Sequence, residues 1–410
     1  MLSDRCIVER DSDLLLGRLL HSCPELSSVI FKSINSKGLQ LIAAHCGPSL
    51  RVIEATIYLG SVYDLISLCE TCPNLTEGKF VPHFPGVPGD KIVQTIVQYC
   101  PLIEVLTMNQ WKLTKAAMNA LASLNTLKAF QLDDSQKIKS SAIQRVLQAN
   151  PFISNICLEG PSINAGLISG IGRHCGNLTS LVLDKDAVID DPALQDLFRG
   201  CPLLTVVKLK QRGKLSNTSL TVLFQNCRRL VELDLNVYYV YESDSDAETE
   251  PLGLAPVEGD LDLGEPHPTL HTLVLHRQCV HDNAVRALFT TCTSLTDIRL
   301  SECDYITDEN IKALANSCTM LVKVQLNSNI HPNYTSLLDI AYKCTHLREL
   351  VLEYVAVNDQ LLVQLSHTCP YLSTLRIGCY TGAITVVGLM ALVDRCRQLR
   401  SVHINNAQVI

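Results

Sequence analysis

The sequence predicts an α/β repeat solenoid running from residue 1 to residue 410, and three observations carry that prediction. First, Cys292 is followed by Leu295, Ile298 and Leu300 at offsets of three, six and eight. Then come Cys303, the run Ile306, Thr307 and Asp308, and the helical pattern Ile311, Leu314 and Ala315 before Cys318. Second, the same grammar recurs fifteen times, anchored at Cys23, Cys46, Cys72, Cys100, Leu124, Asn150, Cys175, Cys201, Cys227, His267, Cys292, Cys318, Cys344, Cys369 and Cys396. Third, successive anchors lie 23 to 28 residues apart, with one exception of 40. Self-similarity at about 20–29 residues with an LxxLxL core is the mark of leucine-rich repeats, and here about 15 repeats of about 26 residues are expected. A length of 410 residues would otherwise suggest two or three globular domains. The period overrules that count, because each unit can bury its apolar face only against its neighbours.

The elements follow in chain order. Residues 1–22 read as the second half of a repeat: Leu16, Leu19 and Leu20 fall where Ile311, Leu314 and Ala315 fall before Cys318. Ser12 and Asp13 stand at the helix N-cap, where a side-chain oxygen accepts from a free backbone donor. After Cys72 the pattern weakens. Leu75 and Phe80 fit, but Gly78 stands where the middle Leu belongs, and Pro82, Pro85, Gly86, Pro88 and Gly89 predict a loop over residues 78–90. From Cys100 to Cys227 the repeats are regular. Helix-period residues such as Leu194, Leu197 and Phe198 fill the space between each LxL and the next anchor, so each unit is a short strand followed by a helix. From His267 to Cys396 the grammar is cleanest. The last strand is followed by no further helix, so that end is expected to be uncapped unless Asn405 to Ile410 folds over it.

The 40-residue spacing holds an insertion, residues 241–266, with nine Asp or Glu and no Lys or Arg. A run of like charge repels itself and has too little apolar surface to offset its ordering entropy, so disorder is expected. Ser243 and Ser245, each followed by Asp, resemble acceptor sites for an acid-directed kinase, and phosphorylation would deepen the negative field.

Composition narrows the function classes. Twelve of the 18 cysteines sit at the anchor slot. That placement suits a small buried hydrophobe with a weak thiol donor better than a disulfide framework. The anchors Leu124, Asn150 and His267 support a structural slot. Cys69 and Cys72 form a lone CxxC without the second pair that a zinc site needs. Neither a signal-peptide pattern nor an apolar stretch of 18 residues is present. The expectation is therefore an intracellular protein, cytoplasmic and/or nuclear, with no membrane partner. A net charge of −7 argues against a nucleic-acid partner. No P-loop, GxSxG, HExxH or flanked GxGxxG is found, and His45, His174 and His367 sit at helix ends where the dipole favours a cation. No enzyme activity, cofactor or metal is expected.

The full pattern, CxxLxxLxL, a following Cys, ITD and a helix ending in LAxxC, resembles the cysteine-containing leucine-rich repeat of the F-box/leucine-rich-repeat proteins, the RNI-like type. It is similar as well to related mitotic-exit regulators that carry the repeats without an F-box. The resemblance covers about residues 10–405. Cys292 to Cys318 carries it in full; Cys369, Leu372, Leu375, Ile377, Cys379, Ile384 and Thr385 follow it closely. It implies a right-handed solenoid, an arc or horseshoe, with a parallel β-sheet on the concave side and α-helices on the convex side. It also implies a module that binds a protein substrate, joined to a cullin ligase adaptor through a separate F-box. Only 22 residues precede Cys23 and they already read as repeat, so no F-box is expected within this chain. Two functions stay open: substrate recognition for an F-box-type ubiquitin ligase, and a repeat-only scaffold or cell-cycle regulator with no ligase link.

On each strand the residues at offsets six and eight point into the core, and those at five, seven and nine point to the concave surface. The earlier turns present apolar residues there, such as Ile30, Val52, Val105 and Val182; the later ones present Glu232, Asp234, Asn236, Asp297, Ser301, Asn327, Glu349 and Val351. The candidate partner-binding residues are Lys208, Lys210, Arg299, Lys323, Gln325, Glu353, Tyr354, Arg376 and Tyr380. Arg299, Tyr354, Arg376 and Tyr380 lead, since Arg and Tyr are favoured interface anchors.

Overall fold

The computed structural model describes residues 5–8, 13–58, 62–132, 138–160, 163–212, 216–237, 261, 263–276, 280, 282–303, 306–327, 334–355, 357–378, 383–405 and 408–409. Strand and helix alternate through them, giving an α/β leucine-rich-repeat solenoid fold. The chain divides into two compact units, Met1–Cys201 and Pro202–Ile410. Contacts in a repeat array run only between successive repeats, so a long array has no single centre.

The first unit runs β1 (Arg5–Val8), α1 (Asp13–Ser22), β2 (Ser28–Ile34), α2 (Ser36–Cys46), β3 (Val52–Ile57), α3 (Val62–Glu70) and β4 (Glu77–Pro82). It continues with β5 (Val87–Pro88), α4 (Asp90–Tyr99), β6 (Val105–Thr107), β7 (Trp111–Lys112), α5 (Lys115–Leu121) and β8 (Ala129–Leu132). It closes with α6 (Ser140–Ala149), β9 (Asn155–Glu159), α7 (Ala165–His174), β10 (Ser180–Val188) and α8 (Asp191–Gly200). Strands β1, β2, β3, β4, β6, β8, β9 and β10 adjoin in that order, every pair parallel.

Two expectations change here. The segment RCIV forms β1 and pairs with β2, Arg5 opposite Ser28, so a strand precedes the helix that was read as half a repeat. Its apolar, β-branched composition suffices for a strand even without the leucine grammar. The expected loop over 78–90 is also narrower, because residues 77–82 are strand and 87–88 pair with 111–112. The reason is Phe80. A Cβ on Gly78 would stand 2.8 Å from the Phe80 ring, so that ring, fully buried, fills the volume the missing leucine would occupy.

The second unit opens with β11 (Val206–Arg212), α9 (Asn217–Asn226), β12 (Glu232–Val237), β13 (Thr272–His276), α10 (Asp282–Thr291) and β14 (Asp297–Ser301). Next are α11 (Asp308–Ser317), β15 (Lys323–Asn327), α12 (Tyr334–Lys343), β16 (Glu349–Glu353), α13 (Asp359–Thr368) and β17 (Thr374–Gly378). Then come β18 (Ala383–Ile384), α14 (Val386–Arg395), β19 (Ser401–Asn405) and β20 (Gln408–Val409). Strands β11 to β17 and then β19 adjoin in order, all parallel and without a register break. The chain does not end on the last sheet strand, for β20 pairs with β18, Ala383 opposite Gln408.

Of the acidic insertion, residues 241–260 and 262, with Ser243 and Ser245, lie outside the described residues; Tyr380 does too. The insertion's last residues depart from the expectation of disorder through 266: Leu263 is buried, and the backbone of the exposed residues 265–266 is held by hydrogen bonds. Leu263 is 3% exposed, and the Arg228 guanidinium donates to the carbonyls of Glu265 (3.2 Å) and Pro266 (2.9 Å). One leucine inside the acidic run has apolar surface to bury, and one arginine fastens the returning backbone.

The anchor slot is where helices end. Cys100, Asn150, Cys175, Cys201, Cys227, Cys318, Cys369 and Cys396 are the C-cap residues of the helices before them. Their side chains are buried, and several thiols donate to the carbonyl of the preceding anchor: Cys201 to Cys175 and Cys318 to Cys292 at 3.4 Å, Cys344 to Cys318 and Cys396 to Cys369 at 3.7 Å. The substitutes do the same work by other means. His267 Nε2 lies 3.1 Å from the Cys227 carbonyl, and Asn150 donates to Val146 while accepting from the Leu127 amide. Cys23, with no earlier anchor to stack on, is exposed.

Helix starts are tied across repeats as well. Asp359, in the first turn of α13, accepts from both the amide (2.8 Å) and the hydroxyl (2.5 Å) of Thr385, the N-cap of α14. Asp90 holds Thr114 in the same way, and Asp308 accepts from Ser336. Helices α7 and α8 approach so closely that a Cβ on Gly200 would overlap the Gly172 carbonyl. Among the described residues no helix is long and apolar enough to cross a membrane.

Candidate protein-binding face

Strand alternation decides which side chains can be functional. In β14, Ile298 and Leu300 are fully buried while Asp297, Arg299 and Ser301 are half-buried, and β13 and β15 repeat the pattern. Each buried aliphatic side chain contributes about 1.5–3 kcal/mol, so the offsets six and eight are committed to the core and the helices. The offsets five, seven and nine are left for function.

In the second unit the unbroken register aligns these outward residues into rows. Lys208, Asp234, Val274, Arg299, Gln325, Val351, Arg376 and His403 form the middle row. Val351 departs from its expected place on the surface. It is 6% exposed, because the long side chains of Gln325 and Arg376 flank it in register.

The charges on this face are arranged in pairs. Lys208 meets Glu232 on the next strand at 2.8 Å, and Lys323 meets Glu349 at 2.7 Å. Arg299 forks onto Asp297 two residues back, Nε to Oδ1 at 3.2 Å and a terminal nitrogen to Oδ2 at 2.8 Å, which raises its already high pKa. Arg376 approaches Glu353 only to 3.9 Å, with its side chain 49% exposed. Burial pushes the Asp234 carboxyl above the usual range, and Lys208 and Lys210 partly offset it. Lys210 lies opposite Asn236. Tyr354 follows β16 with φ 62° and is 52% exposed. Its amide donates to the Gly378 carbonyl at 2.7 Å, and Glu302, φ 53°, makes the matching bond to Asn327 at 3.0 Å. Left-handed backbone is costly for such residues, and here a cross-strand hydrogen bond holds it.

Eight of the nine candidate partner-binding residues thus fall on the second unit's open face or its rim, and Tyr380 lies outside the described residues. The ion pairs and the left-handed rim positions were not read from the sequence. Register would have signalled the pairs, since Lys208 and Glu232 stand at neighbouring offsets of adjacent repeats.

The buried thiols are poorly suited to nucleophilic chemistry. Burial pushes Cys175, Cys227, Cys318 and Cys344 up to about 12 and Cys72 to about 11; Cys69, its CxxC neighbour, is raised well above its ordinary value. A reactive cysteine needs the opposite shift. Among the described residues no group of three or more His, Cys, Asp or Glu could hold a metal ion. A cavity under β6 and β8, of about 10 Å³, lined by Leu106, Met118, Leu127 and Phe130, has room for about one water.

No protein-family model and no curated protein sequence matches the chain. Among solved structures, Rad7 from the yeast Rad7–Elc1 complex is similar with a TM-score of 0.52 at 17% identity, covering 92% of this chain and 83% of that one. TLR13 from a complex with ssRNA13 aligns with a TM-score of 0.43 at 14% identity, covering 98% of this chain and 61% of that one. By its own strands and by its likeness to Rad7, the chain has the fold of a leucine-rich-repeat solenoid.

Proposed function

We propose that the chain is a non-catalytic protein-interaction scaffold. Its open sheet face in the second unit binds a protein partner through Arg299, Arg376 and Tyr354, with Lys208, Lys210, Lys323, Gln325 and Glu353 around them. The observation that carries this reading is the set of registered rows of polar side chains beside half-exposed Arg376 and Tyr354. A mosaic of apolar, basic and acidic groups suits a protein surface better than a polyanion.

Within that role, the repeat's resemblance supports substrate recognition for an F-box-type ubiquitin ligase. The Rad7 structure, in which Rad7 is bound to Elc1, is a precedent for this fold in a protein complex. The test has two arms. Reversing Arg299→Glu together with Arg376→Glu should abolish capture of the protein's partners from its own cells, and an unchanged partner set would overturn the assignment of the face. Co-purification with a cullin adaptor should accompany the ligase role; capture of partners without the adaptor would leave a repeat-only scaffold.

A further inference from the structure

One edge of the second unit presents apolar side chains where earlier turns bury them or hold polar ones. Three residues before their anchors, Ala315, Ala341 and Ser366 are buried where successive helices pack, while Val393 in the same slot of α14 is 66% exposed. Nine residues before their anchors, α10 to α13 carry the exposed polar residues Asn283, Glu309, Thr335 and Gln360; α14 carries Val387, 67% exposed. Val386 and Met390 are exposed beside them. Spacings of three and four residues place this set on one side of the helix. An exposed apolar patch of this kind marks a surface that is covered by something.

Strand β19 lies at the same edge. Among the described residues its one sheet neighbour is β17, and β20 pairs with β18, so the outer backbone of β19 faces away from the sheet. Val402 stands at offset six, the core slot that fully buried Leu375 fills in the turn before, yet it is 45% exposed. An unpaired edge backed by apolar side chains is a template for another strand.

We propose that α14 and β19 form the contact between two copies of this chain related by a two-fold axis. The order of the residues names the occupant. A two-fold contact sets a surface against itself, so each residue must suit the one it is turned onto. In β19 the run Ser401, Val402, His403, Ile404 and Asn405 alternates about its centre. Turned over at His403 into antiparallel pairing, Val402 meets Ile404 of the other copy and Ser401 meets Asn405. In α14, turning over at Met390 sets Met390 on its counterpart and brings Val386 and Val387 beside Val393. One axis serves both elements. The ten residues of α14 rise about 15 Å and the five of β19 about 17 Å, and the turn at Cys396 joins them, so Met390 and His403 stand near the middle of the same repeat. Charge agrees with this. Like charges meet wherever a surface contacts itself, and neither the four α14 residues nor β19 includes an Asp, Glu, Lys or Arg. Arg395, nearby on the helix, contacts His367 at 2.6 Å. A foreign helix or strand would require neither element to be symmetric about its centre. The contact uses none of the residues assigned to partner binding, so neither reading depends on the other.

Sedimentation velocity of the full chain over about 1–100 µM tests the proposal. Wild type should pass from monomer to dimer within that range. Met390→Glu, which puts two carboxylates on the axis, and Val387→Glu should each raise the dissociation constant at least about tenfold, with a native far-ultraviolet spectrum because both side chains are exposed. Tyr342→Ala, at an exposed position elsewhere on the unit, should associate as wild type does. The axis has its own test, made in Cys23→Ser protein. Met390→Cys exposed to dioxygen with a copper–phenanthroline catalyst should link two chains, the two thiols giving up two protons and two electrons to dioxygen as the S–S bond forms; Tyr342→Cys should not. The proposal is overturned if wild type stays monomeric throughout, or if Met390→Glu associates as tightly as wild type. It is overturned too if the protein is dimeric and Met390→Cys does not cross-link, which is the result a head-to-tail contact would give.

Discussion

Alkylating the folded protein with iodoacetamide at pH 7 should separate Cys23 sharply from the buried anchor cysteines, with Cys23 modified and the anchors behind it spared. Cys318 shows why. Its thiol is fully buried, donates to the carbonyls of Phe289 and Cys292 at 3.4 Å, and is pushed from 9.0 up to about 12 by burial. The thiolate is the reacting species, and each pKa unit is a factor of ten, so the reactive fraction at neutral pH falls about a thousandfold. Local opening offers a second route. If freeing one repeat costs about 4 kcal/mol, it restores ordinary reactivity in about one molecule in a thousand. Both routes lead to labelling of Cys318 about a thousandfold slower than that of exposed Cys23, read peptide by peptide in a mass spectrometer, with urea-unfolded protein as the control. Labelling of Cys318, Cys344 and Cys227 within about tenfold of Cys23, under conditions where the far-ultraviolet spectrum is native, would refute the buried-anchor account. The same shifts set an alkaline limit. Above pH 9.0 an unfolded chain loses thiol protons that the folded chain keeps up to about 12, so stability falls as pH rises through that window.

Other perturbations probe the joints between repeats. Asp359→Ala removes both acceptors of Thr385 and should cost about 1–3 kcal/mol, seen as a lower urea midpoint at unchanged slope. Gly200→Ala should gain up to about 1 kcal/mol of helix propensity but force α7 and α8 apart at about 1–3 kcal/mol or more, so the thermal midpoint should drop. His267 is buried with its pKa held below 6.5 by desolvation. As pH falls below that value the unfolded chain takes up a proton that the folded one resists, so stability is lost at up to about 1.4 kcal/mol per pH unit. Urea midpoints at pH 7.5 and 5.5 should therefore converge in His267→Cys relative to wild type, and equal differences in both proteins would count against this.

Much of this was legible because the repeat grammar is local along the chain. The offsets that place Ile298 and Leu300 inside and Arg299 outside follow from period-two alternation alone, and the anchor role of cysteine was evident once Asn150 and His267 stood in for it. What escaped depends on contacts across repeats. Phe80 replaces a leucine by reaching over Gly78, which no offset rule foresees. Leu263 looked like part of a solvated acidic run until Arg228, 35 residues earlier in number, was seen fastening the backbone that follows it. The basic candidates Lys208 and Lys323 were visible as surface residues, but their commitment to Glu232 and Glu349 required the strand register.

Under the proposed function, that commitment governs how the second unit's open face would recognise a partner. Because Lys208, Arg299 and Lys323 already hold carboxylates of their own chain, an incoming charged group does not simply add to the face; it must trade places with a resident one. Recognition by exchange sums two nearly balanced energies, so weakly matched visitors gain almost nothing. Long-range attraction contributes little to the encounter, and association should vary only gently with ionic strength. Discrimination then rests on geometry at short range, on whether a visitor can reproduce the fork that Asp297 makes with Arg299 while also closing the 3.9 Å gap left open between Glu353 and Arg376.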